Sequence, residues 1–497
     1  MGQLVVLAPA AAVPDWVTSL PAILGAAVVV LEIGVVVAAL GVIPGNRKPS
    51  TGMAWLILVL AVPFFGLLAF LLLGSTRVER KRHHTQEEVN DEIHKRTAQV
   101  AALTEQEPHL AYVASVAGLN RRLGALPAVA GNSAELFSEY TESIAAMTAV
   151  VETAERFVHV QFYITAWDTV TDEFFRALVR ATERGVRVRL LFDHLGSRGI
   201  PTYKTMLTQL RETKIEWHPM LPLGLGRRPD LRNHRKILVV DGRVAFAGSQ
   251  NLIEPSYNKP KNQEAGRKWV ELTTKVEGPV VAALNAVFLT DWYTETDELL
   301  QDTISGFTPG EPGVGMTAQI VPSGPEFVTE NNLRMFTTLL YSAQRRISIT
   351  SPYFVPDESL LYAVTTAAQR GVHVELFVSA EGDQFMVSHA QNSYYQALLE
   401  AGVRIFLYPA PFVLHSKHFS IDDDVAVIGS SNMDLRSFAL NYEVSLMMLG
   451  GEIVGRMREV EDTYRRLSRE LTVEEWAGRS RGARYVDNVM RLTSALQ

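Results

Sequence analysis

The feature that most constrains this 497-residue chain is a spaced pattern that occurs twice. His-x-Lys-x4-Asp falls at His234, Lys236 and Asp241, and again at His415, Lys417 and Asp422. Each Asp is followed at the same offset by Gly-Ser-x-Asn, as Gly248-Ser249-Gln250-Asn251 and Gly429-Ser430-Ser431-Asn432. One copy alone would be weak evidence; two copies with equal internal spacings and matching tails mark a duplicated site.

The residues between Lys and Asp are apolar in the first copy and partly so in the second, which predicts a short buried strand. Side chains two apart on a strand share a face, so His234 and Lys236 point the same way, as do His415 and Lys417. Each Asp lies at an odd offset from its His, and Asp241-Gly242 is a turn signal. Asp241 and Asp422 are therefore expected to support the site rather than touch the reacting atom. A following strand, 244–247 or 425–428, returns Ser249 and Asn251, or Ser430 and Asn432, to the same end of the sheet.

Two facing His-Lys-Asn clusters supply two imidazoles with opposite tasks, and cations and amide donors around a multiply charged oxyanion. That is the equipment for phosphoryl-type transfer without a metal. One His attacks phosphorus, the other protonates the leaving oxygen, and Lys and Asn hold the equatorial oxygens. No obvious metal-ligand cluster accompanies the motifs, so no cofactor and no metal is expected.

The duplication extends beyond the motifs. Arg184-Gly185-Val186-Arg187-Val188 and Arg370-Gly371-Val372-His373-Val374 each close a helix with Gly and open a strand. Around them, helix, strand, helix and strand are predicted at 135–154, 157–164, 172–184 and 186–192. The order recurs at 332–343, 347–354, 357–370 and 372–378. The period of roughly 185 residues is too long for a solenoid and predicts a duplicated α/β domain with a mixed sheet. If the halves pack about a pseudo-two-fold axis, His234 meets His415. The expected division is a membrane anchor at 1–83, a connector at 84–130, a first domain at 131–305, a Gly- and Pro-bearing linker at 306–325 and a second domain at 326–497.

Residues 20–43 and 53–73 are apolar runs of about membrane-spanning length, read as two transmembrane helices. Arg77, Arg80, Lys81 and Arg82 follow the second run, against Arg47 and Lys48 between the runs. By the positive-inside bias the bulk of the chain is cytoplasmic. The same four residues either fix orientation or also hold anionic lipid headgroups. The loops 221–229 and 408–413, rich in Gly, Pro and apolar residues, either admit acyl chains or are ordinary packed loops. His373, His389 and Tyr394 are read as structural. The chain has no cysteine, which excludes disulfides and thiol nucleophiles, and its net charge of −7 argues against a nucleic-acid partner.

The paired motifs resemble the signature of the phospholipase D superfamily. Asp434-Leu435-Arg436-Ser437, Asn441-Tyr442-Glu443, Trp269-Val270-Glu271 and Val276-Glu277-Gly278-Pro279 extend the resemblance to its bacterial cardiolipin synthase branch. The resemblance implies that a carboxylate downstream of each motif orients a catalytic His. Glu271 and Glu443 occupy those places, with Glu264 a competitor for the first, where Asp is the commoner residue. It further implies a membrane phosphatidyltransferase acting on phosphatidylglycerol through a phosphatidyl-histidine, with His234 as nucleophile and His415 as general acid and base. A phospholipase D-type hydrolase yielding phosphatidic acid is the alternative.

Overall fold

Apolar spacing places most elements of the chain, and the sheet that gathers them decides the remainder. The computed structural model describes residues 22–43, 45, 49–74, 80–100, 111–224, 228–301, 315–327 and 329–492. The readings that rest on Arg47, Lys48, Arg77, residues 225–227 and residues 306–314 lie outside the described residues. Two compact units divide the chain, Met1–Arg77 and Val78–Gln497.

In the first unit, helix Ala22–Val42 fills the first apolar run. The second run is not the single span expected. It forms helices Pro49–Ala61 and Pro63–Leu73, of 13 and 11 residues. Pro63 has no N–H to carry the helix through and disfavours helical backbone at Val62, whose φ is −141°. The two pieces fold back closely: a Cβ on Gly66 would stand 2.7 Å from the Leu58 carbonyl oxygen. Among the described residues no helix is long and apolar enough to cross a membrane.

The second unit is built on one mixed sheet of sixteen strands among the described residues. From its centre outward, the first half runs Val129–Phe137, Thr273–Glu277, Val244–Gly248, Ile237–Val240, Phe157–Phe162, Arg187–Asp193 and Glu216–Met220. The second half runs Met316–Ser323, Asn441–Leu449, Val425–Gly429, His418–Ile421, Arg346–Thr350, His373–Ser379 and Arg404–Tyr408, with Arg469–Leu471 at its edge. The two orders correspond strand for strand. They join where Val129–Phe137 pairs antiparallel with Met316–Ser323.

Two predicted elements change for a common reason, long-range pairing, and a third through packing on both its faces. Met316–Ser323, inside the stretch read as a linker, is a buried strand paired with Asn441–Leu449. The helix predicted over 135–154 begins only at Tyr140, because residues 133–137 pair with Thr273–Glu277 as strand. Strand Phe157–Phe162 is buried at every position rather than on one face. Val158, Val160 and Phe162 pack against Phe174 and Phe175 on one side, while His159 stacks on Phe288 on the other. The landmarks Gly185 and Gly371 both take φ of 90°, the left-handed conformation that closes each helix.

Candidate active site

Each motif straddles an element boundary. Ile237–Val240 and His418–Ile421 are strands, but the His and Lys of each copy precede them in extended segments rather than lying on the strand as expected. Alternation still operates there. Arg235, between His234 and Lys236, turns the other way and is buried against Asp291 at 2.8 Å and Glu326 at 2.9 Å. In the second copy Ser416 turns away to the Tyr464 hydroxyl at 3.2 Å.

The motif aspartates do not join the His-Lys clusters. Asp241 accepts the N–H groups of Glu155, Arg156 and Phe157 at 2.8–2.9 Å, and Asp422 those of Gln344, Arg345 and Arg346 at 2.8–2.9 Å. Each carboxylate thus ties the motif strand to the start of its neighbour, Phe157–Phe162 or Arg346–Thr350. Both residues have positive φ, 54° and 47°, at the turn that ends the motif strand.

The histidines meet because the halves exchange short strands. Arg232–Asn233 pairs in parallel with Asn441–Tyr442, and Val413–Leu414 with Trp269–Val270. The His234 N–H donates to Tyr442 O at 2.9 Å and the His415 N–H to Val270 O at 2.8 Å. The next residue along each partner strand is a glutamate. His234 Nδ1 lies 3.1 Å from both Glu443 carboxylate oxygens and 2.9 Å from Ser430 O. His415 Nδ1 lies 2.7 Å from Glu271 Oε1. Each imidazole is therefore oriented by a carboxylate from the opposite half, which leaves Nε2 as the nitrogen for chemistry. Glu264, the competitor, is exposed at the end of helix Pro260–Glu264.

Lys236 and Lys417, each 2% exposed, donate to the carbonyls of His234 and His415 at 2.7 Å. Lys417 Nζ also stands 3.1 Å from both ring nitrogens of His415. The tails of the two motifs differ. Asn251 is engaged on both sides, accepting from the Ile164 N–H at 3.1 Å and donating to the Tyr257 hydroxyl at 2.8 Å, whereas Asn432 Oδ1 is buried with no hydrogen-bond partner among the described residues. Ser430 donates to Glu443, while Ser249 bonds only the Leu272 main chain.

Burial governs the charges. His234 is held well below the usual imidazole range by burial, then by the charges of Lys236, Lys417 and His415. His415 is lowered by burial, against the opposing pull of Glu271. Burial brings Lys417 down to about 8 and lowers Lys236 further, aided by the charge of Lys417. Glu443 is pushed up to about 7 by burial. The His234–Glu443 contact is accordingly a hydrogen bond between two groups driven towards neutrality rather than a full ion pair. Two buried lysines beside the paired imidazoles favour an anionic ligand, which would offset the cost of burying their charges.

Several residues of the site carry no motif. Tyr163 and Tyr353 flank the two histidines edge-on, with ring centroids 4.8 Å and 6.3 Å away. Aligning Phe162-Tyr163-Ile164 with Pro352-Tyr353-Phe354 across the duplication would have found them. Arg82, read as orienting the chain or binding headgroups, is engaged within the second unit: it pairs with Glu295 at 2.5 Å and lies 5.7 Å from the centre of the Tyr442 ring, as Arg235 does at 5.6 Å. His389 pairs with Asp487 and His373 with Glu375, remote from the histidine pair in contacts.

The family model described as "Cardiolipin synthase, PLD-like domain" matches residues 147–292 and 336–463, and "Phospholipase_D-nuclease N-terminal" matches residues 33–75. A Cardiolipin synthase A of Proteus mirabilis is 32% identical over 457 residues, covering 87% of this chain and 90% of its own. That of Yersinia pseudotuberculosis is 31% identical over 466 residues, covering 91% and 94%. Among solved structures, phosphatidylserine synthase of Haemophilus influenzae shares the fold at a TM-score of 0.57 and 15% identity, covering 76% of this chain and 99% of its own.

Proposed function

The chain belongs to the cardiolipin synthase family with phospholipase D-like domains, and on that premise we propose that it is a phosphatidyltransferase making cardiolipin and free glycerol from two phosphatidylglycerols. The observation that carries this reading is the pair of buried imidazoles, each braced at Nδ1 by the other half's glutamate, beside two buried lysines.

In this reading His234 Nε2 attacks the phosphorus of the first phosphatidylglycerol. The P–O bond to glycerol breaks, and the leaving oxygen takes a proton from His415 Nε2. The neutral His415 then removes the proton from a hydroxyl of the second phosphatidylglycerol. That oxygen forms the new P–O bond as the P–N bond to His234 breaks. Lys236, Lys417 and Asn432 hold the equatorial oxygens, and Glu271 and Glu443 stabilise the imidazolium forms. Asn251, Ser249 and Ser430 brace these groups, and Asp241 and Asp422 hold the strands that carry them.

Membrane association belongs to the same proposal. Val30, Ile33, Val37, Leu40, Phe65 and Leu71 of the first unit are between 53% and 74% exposed, more apolar surface than water tolerates. Lipid is the solvent that suits them, with the short helices seated in a locally thinned bilayer. The charge bias around the runs puts the catalytic unit on the cytoplasmic side of the cell membrane.

The test is purified full-length protein with phosphatidylglycerol as sole lipid, its products resolved by mass. Cardiolipin with one glycerol per turnover is expected. Phosphatidic acid as the dominant product would mean that water resolves the intermediate and would replace transfer by hydrolysis.

A further inference from the structure

The two histidines are only 7% and 6% exposed, so whatever reaches them passes the loops around them. Those loops carry large apolar side chains outward. Leu195 follows strand Arg187–Asp193, Leu223 follows Glu216–Met220, Phe385 and Met386 follow His373–Ser379, and Phe412 follows Arg404–Tyr408. All four strands run parallel to the inner strand of their half, so these are the loops at equivalent carboxyl ends, where open α/β sheets place ligands. The five side chains are 39–66% exposed.

Short chains of contacts link these loops to the histidine pair. Asp193, two residues before Leu195, accepts the Asn233 N–H at 2.9 Å. The Leu223 N–H donates to His194 Nδ1 at 3.1 Å. Gln384, beside Phe385, donates to the Tyr353 hydroxyl at 2.8 Å, and Phe412 stands three residues before His415.

Basic side chains flank the same loops. Val413 donates to Lys268 O at 2.9 Å, which sets the segment 259–268 against 409–413. Lys259, Lys261 and Lys268 are exposed on that segment and have no ion pair among the described residues. Three acids oppose these lysines and Arg267: exposed Glu264 and Glu381, the latter 3.7 Å from Arg267, and half-buried Asp383, which accepts from the Tyr353 hydroxyl at 2.8 Å. Positive charge stays in excess.

We infer that these loops form a rim that seats on an anionic bilayer surface, Leu223, Phe385 and Phe412 dipping into it and Lys259, Lys261 and Lys268 meeting its headgroups. An apolar rim with lysines beside it fits such a surface. The inference rests on the proposed lipid substrate and adds how a diacyl lipid enters a closed site: it moves from the bilayer between apolar loops without its chains meeting water.

Because the chain has no cysteine, single labels are simple to place. L223C, F385C and F412C, each labelled with an environment-sensitive fluorophore in the full chain, are reconstituted in phosphatidylglycerol-containing bilayers with a lipid-borne quencher. Y362C, on helix Glu358–Gln369, is the control. Quenching at the three rim positions and not at Tyr362 is expected, and should weaken when zwitterionic lipid replaces phosphatidylglycerol. Rim labels open to an aqueous quencher, or shielded from both quenchers, would overturn the rim.

L223D/F385D is then assayed on bilayer phosphatidylglycerol and on a short-chain form dispersed as monomers. A roughly tenfold or greater loss of kcat/KM on bilayers alone supports the rim. Equal losses on both forms contradict it. Failure of the unsubstituted chain to turn over either form would instead sink the proposed reaction, and leaves the labelling result to stand by itself.

Discussion

At the scale of single residues, burial sets the working pH. The proposed mechanism needs Glu443 ionised against His234 and Lys417 cationic against the phosphate; burial pushes the first up to about 7 and the second down to about 8. The rate on phosphatidylglycerol should therefore rise as pH passes about 7 and fall as it passes about 8. E443Q should lose the acidic limb along with most of its rate, and K417R should shift the alkaline limb upward, both read from pH–kcat profiles. The same burial has a sign for stability. Glu443, raised above its unfolded value, favours the folded state at acid pH, and that contribution is lost as pH rises through about 7. His234→Ala or His415→Ala should lower transfer by on the order of 10⁴-fold with expression unchanged, since each removes one partner of a two-step proton and phosphoryl exchange. Full turnover in either would exclude the two-histidine mechanism.

At the scale of elements, the motif aspartates act as staples between strands. Asp422→Asn turns one acceptor oxygen into a donor facing a main-chain N–H, and should cost about 1–3 kcal/mol, seen as a thermal midpoint lower by a few degrees in detergent. For Asp241, burial works to raise the pKa, but three main-chain N–H groups and Arg243 hold it below the usual range. Its contribution is present at neutral pH and lost only as pH falls below the ordinary carboxylate range. Helix Arg80–Arg96 acts differently, through Arg82. The Arg82 and Arg235 guanidiniums both lie over the Tyr442 ring, and the Tyr442 carbonyl anchors the His234 N–H. Arg82→Met should lower kcat several-fold with KM little changed, and Arg82→Lys should recover part of it. A change in KM alone would contradict a positioning role.

At the scale of the molecule, neither half contains a complete site. Each imidazole takes its main-chain anchor and its carboxylate from the other half, and the central strands Val129–Phe137 and Met316–Ser323 join the two sheets into one. Residues 78–305 and 306–497 expressed separately should each be inactive, while co-expression should restore measurable transfer if the halves reassociate. Activity in one half alone would contradict the shared site.

The sequence by itself determined the motif side chains of the site and that there are two sets of them, because a repeated spacing survives any fold. It also determined the local elements whose period is short: helices Asp172–Glu183 and Glu358–Gln369, the glycines at 185 and 371, and the strands after each lysine. Only the tertiary structure decided the pairings. That Glu271 serves His415 and Glu443 serves His234, that Met316–Ser323 is a central strand rather than a linker, and that Arg82 lies over the Tyr442 ring are contacts between residues far apart in the chain. Local periodicity carries no record of them. The break at Val62 was legible in Pro63, a residue whose missing N–H acts within a single turn.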